Sequence, residues 1–285
     1  AGIVHRLDKD TSGCIVVAKS QEALVNLQLQ IQNKIASRNY LAIVHGVPLK
    51  SNGTIIGNIG RHPSIVIDSN DMIHIVFLDQ TNSRLMYLNK TVSASSWPSA
   101  TVIDSDAWNK ATGLTLDDDD NLYVSWARKD ANYKRQCFVK IKLALSSSWN
   151  APTNLENWYG SENHQVKTAC DVAVDSNKKI HIVAHDDSGE DLRYTTNSGG
   201  SWSSTDIRGH SSSSVDSGRM VNIAIDSNNQ IHLTYVENTG VPRVYHDTNS
   251  SGVATDSSNW VREELAWYSD YPAIAIDSND HVHIV

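Results

Sequence analysis

The stretch His5-Arg6-Leu7-Asp8-Lys9-Asp10-Thr11-Ser12-Gly13 is where chemistry is most legible. It interleaves two carboxylates, Asp8 and Asp10, with two cations, Arg6 and Lys9. Two readings of that pattern stand side by side. One is a solvated, salt-bridged turn; the other is a reactive carboxylate displayed on a polar loop, where a rigid scaffold commonly carries functional groups. The elements that must hold the loop can be read on either side of it. A β-rich Gly2-Ile3-Val4 precedes it, and after Gly13 the chain enters Cys14-Ile-Val-Val-Ala18, a strand candidate. Ser20 then offers an N-cap, and Leu24, Leu27, Ile31 and Ile35 recur at helical spacing with Glu22 in the first turn, which predicts a helix ending near Ser37. Tyr40-Leu-Ala-Ile-Val-His45 and Thr54-Ile-Ile-Gly-Asn-Ile59 read as further strands, so the segment is a mixed α/β unit with Asp8 on a loop between strands.

Charge divides the chain at one place. Residues 1–63 carry Arg6, Lys9, Lys19, Lys34, Arg38, Lys50 and Arg61 against Asp8, Asp10 and Glu22, a balance of +4. The whole chain of 285 residues is −8, so the remainder is −12. All eight tryptophans and nine of the ten tyrosines also lie beyond residue 63. Coincident shifts in charge and aromatic content predict two units, 1–63 and 64–285, of which the first is the better suited to nucleic acid. No run of 18 apolar residues occurs, so no membrane partner is expected, and the opening residues carry charge where a secretory signal needs an apolar stretch. Strand-like sequence at both termini suggests truncation there. Cys14, Cys137 and Cys170, odd in number and far apart, predict neither a disulfide framework nor a Cys-x-x-Cys metal site.

The second unit repeats. Ile65-Val-Ile-Asp68-Ser-Asn-Asp-Met-Ile-His74-Ile returns around Asp117, Asp175, Asp226 and Asp277, at separations of 49, 58, 51 and 51 residues. Each phrase sets an Asp/Ser/Asn turn cluster between two apolar β-rich stretches, which is the pattern of a β-hairpin. Further strands follow, such as Leu192-Arg-Tyr-Thr and Arg243-Val-Tyr-His. Four short strands per roughly 50 residues make one propeller blade. The expected fold is therefore mainly β, an incomplete propeller of about four to five blades of four antiparallel strands, with 64–270 forming four blades and 271–285 beginning a fifth.

Several residues in this unit invite a chemical reading and receive a structural one. His74, His181, His232 and His283 could ligate metal, but one equivalent position per blade need not converge with the others, so a histidine bonded within its own blade is expected. Asp117-Asp-Asp-Asp120 could hold calcium, yet it replaces the Asp-Ser-Asn-Asp of the aligned turn and reads as a solvated turn. Arg84, Arg193 and Arg243 fall near Tyr-containing third-strand phrases and read as scaffold. The sequons at Asn52, Asn89 and Asn249 decide nothing. Trp202, Trp260 and Trp267 are expected to be exposed, as a surface for carbohydrate or protein. Thr195-Thr-Asn197-Ser-Gly199-Gly-Ser201-Trp202 resembles the Asp box of sialidase-like and BNR-repeat propellers, where it is a structural turn remote from catalysis.

The first unit also carries a resemblance. His5-Arg6-Leu7-Asp8-Lys9-Asp10-Thr11-Ser12-Gly13 is similar to the signature of RluA-type pseudouridine synthases, and a strand, a helix and Arg38-Asn-Tyr40-Leu-Ala42 follow it in the family's order; Gly60-Arg61-His62-Pro63 also looks like a family phrase. The resemblance implies isomerisation of a uridine in structured RNA, ribosomal or transfer, with no metal or organic cofactor and in the cytoplasm. Asp8 would be the catalytic carboxylate, Tyr40 would stack on the flipped uracil and act as general base, and Arg6 would fill the vacated place in the helix. Lys9, Arg38 and Arg61 would draw phosphates. The family domain continues on both sides of this segment, whereas Pro63 passes directly into the first propeller phrase, so a fusion junction is expected between residues 63 and 64. The second reading is a non-enzymatic propeller that binds carbohydrate or protein and is exported.

Overall fold

The computed structural model describes residues 2–3, 17–18, 20–32, 60–107, 112–129, 135–155, 166–186, 191–208, 216–249, 257–267 and 271–285. The chain separates into two compact units, 1–44 and 45–285. In the first, β1 (Gly2–Ile3) pairs antiparallel with β2 (Val17–Ala18), with Gly2 opposite Ala18 and Ile3 opposite Val17. Helix α1 (Gln21–Gln32) follows. Ser20 caps it as the sequence suggests: its Oγ accepts the Ala23 N–H at 3.2 Å. The helix turns Ala23, Leu24 and Leu27 partly inward and leaves Glu22, Asn26 and Gln28 exposed.

The second unit is an array of antiparallel blades. Blade 1 comprises β3 (Gly60–Ile67), β4 (Met72–Asp79), β5 (Arg84–Thr91) and β6 (Thr101–Asp104); blade 2 comprises β7 (Thr112–Leu116), β8 (Leu122–Lys129), β9 (Arg135–Lys142) and β10 (Thr153–Asn154). Blade 3 comprises β11 (Val166–Val174), β12 (Ile180–Asp186), β13 (Leu192–Thr196) and β14 (Ser203–Arg208); blade 4 comprises β15 (Asp216–Ile225), β16 (Ile231–Asn238), β17 (Pro242–Asn249) and β18 (Val261–Trp267). Strands β19 (Ile274–Ile276) and β20 (Val282–Ile284) pair as the first hairpin of a fifth. Each four-stranded sheet is a simple up-and-down meander. Because β3 starts at Gly60, Arg61 and His62 stand in blade 1, with Arg61 opposite Leu78.

In blades 2 to 4 the second strand is buried on both faces, and the period of two assigns the faces to different neighbours. In β8, Leu122, Val124 and Trp126 pack with Val76, Leu78 and Tyr87 of blade 1, while Tyr123 and Ala127 pack with Val172, Ile182 and Ala184 of blade 3. Val183 and Tyr194 of blade 3 likewise meet Ile231, Leu233 and Tyr235 of blade 4. The core is therefore a series of seams between blades, each a sheet-on-sheet contact. Gly113 shows how close the inner strands lie: a Cβ there would sit 2.3 Å from the Asp171 Oδ1 of the next blade.

Two expectations are corrected here. Cys137 of β9 and Cys170 of β11 are disulfide-bonded, with Cα atoms 6.2 Å apart, although they are 33 residues apart in sequence. The blade 2–blade 3 seam juxtaposes them, a contact that linear spacing does not encode. Trp202 and Trp260 are also not surface aromatics. Trp260 is buried with its ring 5.3 Å from that of Tyr194 in an edge-on contact, and Trp202 packs partly buried against the blade 2–blade 3 core. Trp267 is exposed.

Candidate functional site

The signature falls between β1 and β2, which pair with each other through Gly2–Ala18 and Ile3–Val17. Asp8, Tyr40, Arg6, Lys9 and Arg38 lie outside the described residues. Arg61 is described: it is exposed on β3 of blade 1.

The repeated aspartate is a turn device built from its own blade. Asp68 Oδ1 accepts the N–H groups of Asn70 at 2.9 Å and Met72 at 2.8 Å, and Asp117, Asp175, Asp226 and Asp277 accept the corresponding pairs. The second carboxylate oxygen faces the repeated histidine: His74 Nε2 at 3.2 Å, His181 at 3.5 Å, His232 at 3.7 Å and His283 at 3.3 Å. In blade 2, Tyr123 Oη takes that place and donates to Asp117 at 2.9 Å. On the other ring nitrogen, His74 Nδ1 lies 2.7 Å from Tyr87 Oη and His181 Nδ1 lies 2.5 Å from Tyr194 Oη. An ionised carboxylate only accepts, which assigns the proton to Nε2 and leaves Nδ1 to accept the tyrosine hydroxyl. Burial pushes the His74, His181 and His232 imidazoles below their ordinary range against the opposing pull of the aspartates, so the neutral form fits. At His74 both nitrogens are thus hydrogen-bonded within the blade. Asp68 is pushed up by burial, but the Met72 and Asn70 N–H groups and His74 hold it net below the usual carboxylate range.

Three carboxylates of the run Asp117-Asp-Asp-Asp120 are consumed in the same way. Asp117 caps its own turn, Asp120 accepts the Ser69 N–H of blade 1 at 2.9 Å, and Asp119 pairs with Lys178 of blade 3. The third-strand arginines are scaffold where they are buried: Arg193 Nε lies 2.7 Å from Asp206 Oδ1. Nearer the surface, Arg243 stacks over Trp267 at 4.1 Å and pairs with Glu264 at 3.1 Å, while Arg262 stacks over Tyr245 at 3.5 Å and pairs with Glu237 at 2.6 Å. Asp247, adjacent to Arg208 at 2.9 Å, is pushed by burial to about 6.

One structural signal was present in the sequence and went unread. A Ser-rich stretch ending in Trp occurs in every blade, at Trp97, Trp149, Trp202 and Trp260. Each of the last three packs toward the preceding blade: Trp149 meets Tyr87 edge-on at 5.4 Å, Trp260 meets Tyr194, and Trp202 joins the core around Tyr123.

A family model described as RNA pseudouridylate synthase matches residues 1–102. Over 62 residues the chain is 56% identical to an uncharacterized RNA pseudouridine synthase of Synechocystis sp., which covers 22% of this chain and 19% of that protein. It is 60% identical over 62 residues to ribosomal large subunit pseudouridine synthase D of Pseudomonas aeruginosa, with coverages of 22% and 19%. The chain thus spans about one fifth of the length of the curated relatives it matches. Among solved structures, a protein of unknown function from Dyadobacter fermentans superposes with a TM-score of 0.58 at 11% identity, over 79% of this chain and 74% of that one. The NanB sialidase of Streptococcus pneumoniae superposes with a TM-score of 0.53 at 7% identity, over 83% and 55%. At such identities the likeness is one of fold, a sialidase-like propeller, while the sequence similarity of the amino-terminal segment is to RNA pseudouridylate synthases.

Proposed function

We propose that residues 1–63 are a pseudouridine synthase segment that isomerises uridine to pseudouridine in structured RNA, with Asp8 as the catalytic carboxylate. The observation that carries this reading is identity of 56–60% over 62 residues to such synthases, together with the uninterrupted signature from His5 to Gly13. The target uridine must leave the stack to be reached, and a carboxylate is a competent nucleophile at a glycosidic carbon. Tyr40 stacks on the extruded base and serves as general base, Arg6 occupies the vacated space, and Lys9, Arg38 and Arg61 attract phosphate. The test is pseudouridine formation in ribosomal or transfer RNA by the full chain. Asp8→Ala abolishes product, and Tyr40→Phe lowers the rate by about 100-fold or more. Equal activity of Asp8→Ala and the unaltered chain overturns the assignment.

A second reading is favoured by the Cys137–Cys170 bridge. Disulfides persist in oxidising compartments, so the bridge supports an exported propeller that binds carbohydrate or protein, with exposed Trp267 as its candidate contact. A cytoplasmic synthase needs no such bridge. Thiol alkylation of the chain isolated from its native compartment separates the two: labelled Cys137 and Cys170 support the cytoplasm, and protected thiols support export.

A further inference from the structure

The seam tryptophans recur from blade to blade, but Trp267 does not. The pairs His74–Tyr87, His181–Tyr194 and His232–His246 fix which residues of the third strands are equivalent. Two residues before each partner stand Leu85, Leu192 and Val244, opposite Asp104, Arg208 and Ala266 of the fourth strand. The residue that follows is Ser105 in blade 1, Gly209 in blade 3 and Trp267 in blade 4. Packing of the blade therefore does not demand an aromatic at this position.

Trp267 stands on the side of its sheet that is turned to blade 3. It lies opposite Arg243, which lies opposite Glu237, and Tyr235, two residues earlier on the same face, packs with Val183 and Tyr194 of blade 3. Arg208 of blade 3 meets this face as well, 2.9 Å from Asp247. The ring is held from two directions. The Arg243 guanidinium covers one face at 4.1 Å, and the indole N–H donates to Glu264 Oε1. Glu264 is itself fixed, since its Oε2 accepts from Arg243 Nη1 at 3.1 Å and from Tyr245 Oη at 3.0 Å. Trp267 is nevertheless 55% exposed, which leaves the opposite face of the indole to solvent.

A fixed indole with one open face suits a ligand that is apolar on one side and polar round its rim. A hexopyranose has that form: its C–H hydrogens meet the negative π face, and its hydroxyls can donate to the Glu264 carboxylate and accept from Arg243, whose side chains are 33% and 30% exposed. Charge selects further. Arg243 is balanced by Glu264 and Arg262 by Glu237, and residues 64–285 carry −12 in all, so an acidic sugar is disfavoured. The same frame of charged groups is what the core of a protein interface lacks. We propose that Trp267, held by Arg243 and Glu264, is a stacking platform for a neutral hexopyranose unit of a glycan. The proposal rests on the reading of the propeller as a binding module and names its ligand and its site.

Electrophoresis of the full chain through gels containing barley β-glucan, galactomannan or dextran tests it, with alginate as the acidic comparison. At least one neutral polysaccharide retards the chain and alginate does not. Trp267→Ala weakens that binding about tenfold or more, and Trp267→Phe, which keeps a smaller ring, about threefold. The ring is exposed, so both variants are expected to keep the melting transition. Glu264 is a positioning residue, and its role is read on the ring itself by fluorine NMR of chain labelled with 5-fluorotryptophan. The resonance lost in Trp267→Phe shifts on addition of the retarding polysaccharide, while that of buried Trp260 stays in place. Glu264→Ala abolishes the shift, and Glu264→Gln, which still offers the indole N–H an acceptor, restores it. Migration unaltered by all three neutral polysaccharides overturns the proposal, as does retardation that Trp267→Ala leaves unchanged or alginate equals. Failure of the export reading is separate, because alkylation of Cys137 and Cys170 reports it whatever the gels show.

Discussion

At the residue scale the repeated aspartate does three jobs with one carboxylate. Asp175 accepts the Asn177 N–H at 2.9 Å and the Lys179 N–H at 2.7 Å and faces His181 Nε2. Asp175→Ala orphans both donors and removes the charge beside a buried imidazole, for an expected loss of about 2–4 kcal/mol in urea unfolding. Protonation gives a second pair of predictions with opposite signs. His181 is held below its ordinary value by burial, so just below pH 6.5 the unfolded chain binds the proton and the folded chain does not. Its stability contribution is therefore lost as pH falls through that window. Asp171 is pushed by burial to about 6, with the Ile223 and Val172 N–H groups opposing the shift. Between about pH 4 and 6 the folded chain binds the extra proton, so this site favours folding more as pH falls. Relative to His181→Gln, the unaltered chain loses stability on acidification from pH 7 to 5; relative to Asp171→Asn it gains. Parallel profiles in either comparison contradict the assignment.

At the element scale the strands are short, and in blades 2 to 4 neither face of the second strand is free. Trp260 follows the turn Ser257–Asn259 and fills the seam against Tyr194. Trp260→Ala leaves a large cavity there and is expected to cost about 3–5 kcal/mol. Trp267→Ala, on an exposed ring stacked by Arg243, is expected to cost less than about 1 kcal/mol in the same urea titration. The Asp-box turn is legible down to its bonds: Asn197 Oδ1 accepts the Ile180 N–H at 2.8 Å, and Gly200 takes φ of 86°, which a side chain rarely adopts. Helix α1 is equally legible, since Ser20 and the leucine spacing specify it locally.

At the scale of the whole molecule, the seams rather than the blades are the units of stability. The Cys137–Cys170 bridge ties blade 2 to blade 3. Reducing it is expected to lower the unfolding free energy by about 3–4 kcal/mol, the loop-closure value for a separation of this length, and a melting scan with and without reductant measures the change.

The sequence by itself determined the four-stranded repeat of about 50 residues, the hairpin at each repeated aspartate and the words of the signature around Asp8. These are local patterns: turn residues, a period of two and words of fixed spacing, each read without knowing what lies across the chain. Only the tertiary structure decided which tryptophans are buried, which cysteines meet and which neighbour each strand face addresses. Those depend on stacking one blade on the next, and residues such as Gly113 and Asp171 or Cys137 and Cys170 meet across a seam although tens of residues separate them along the chain.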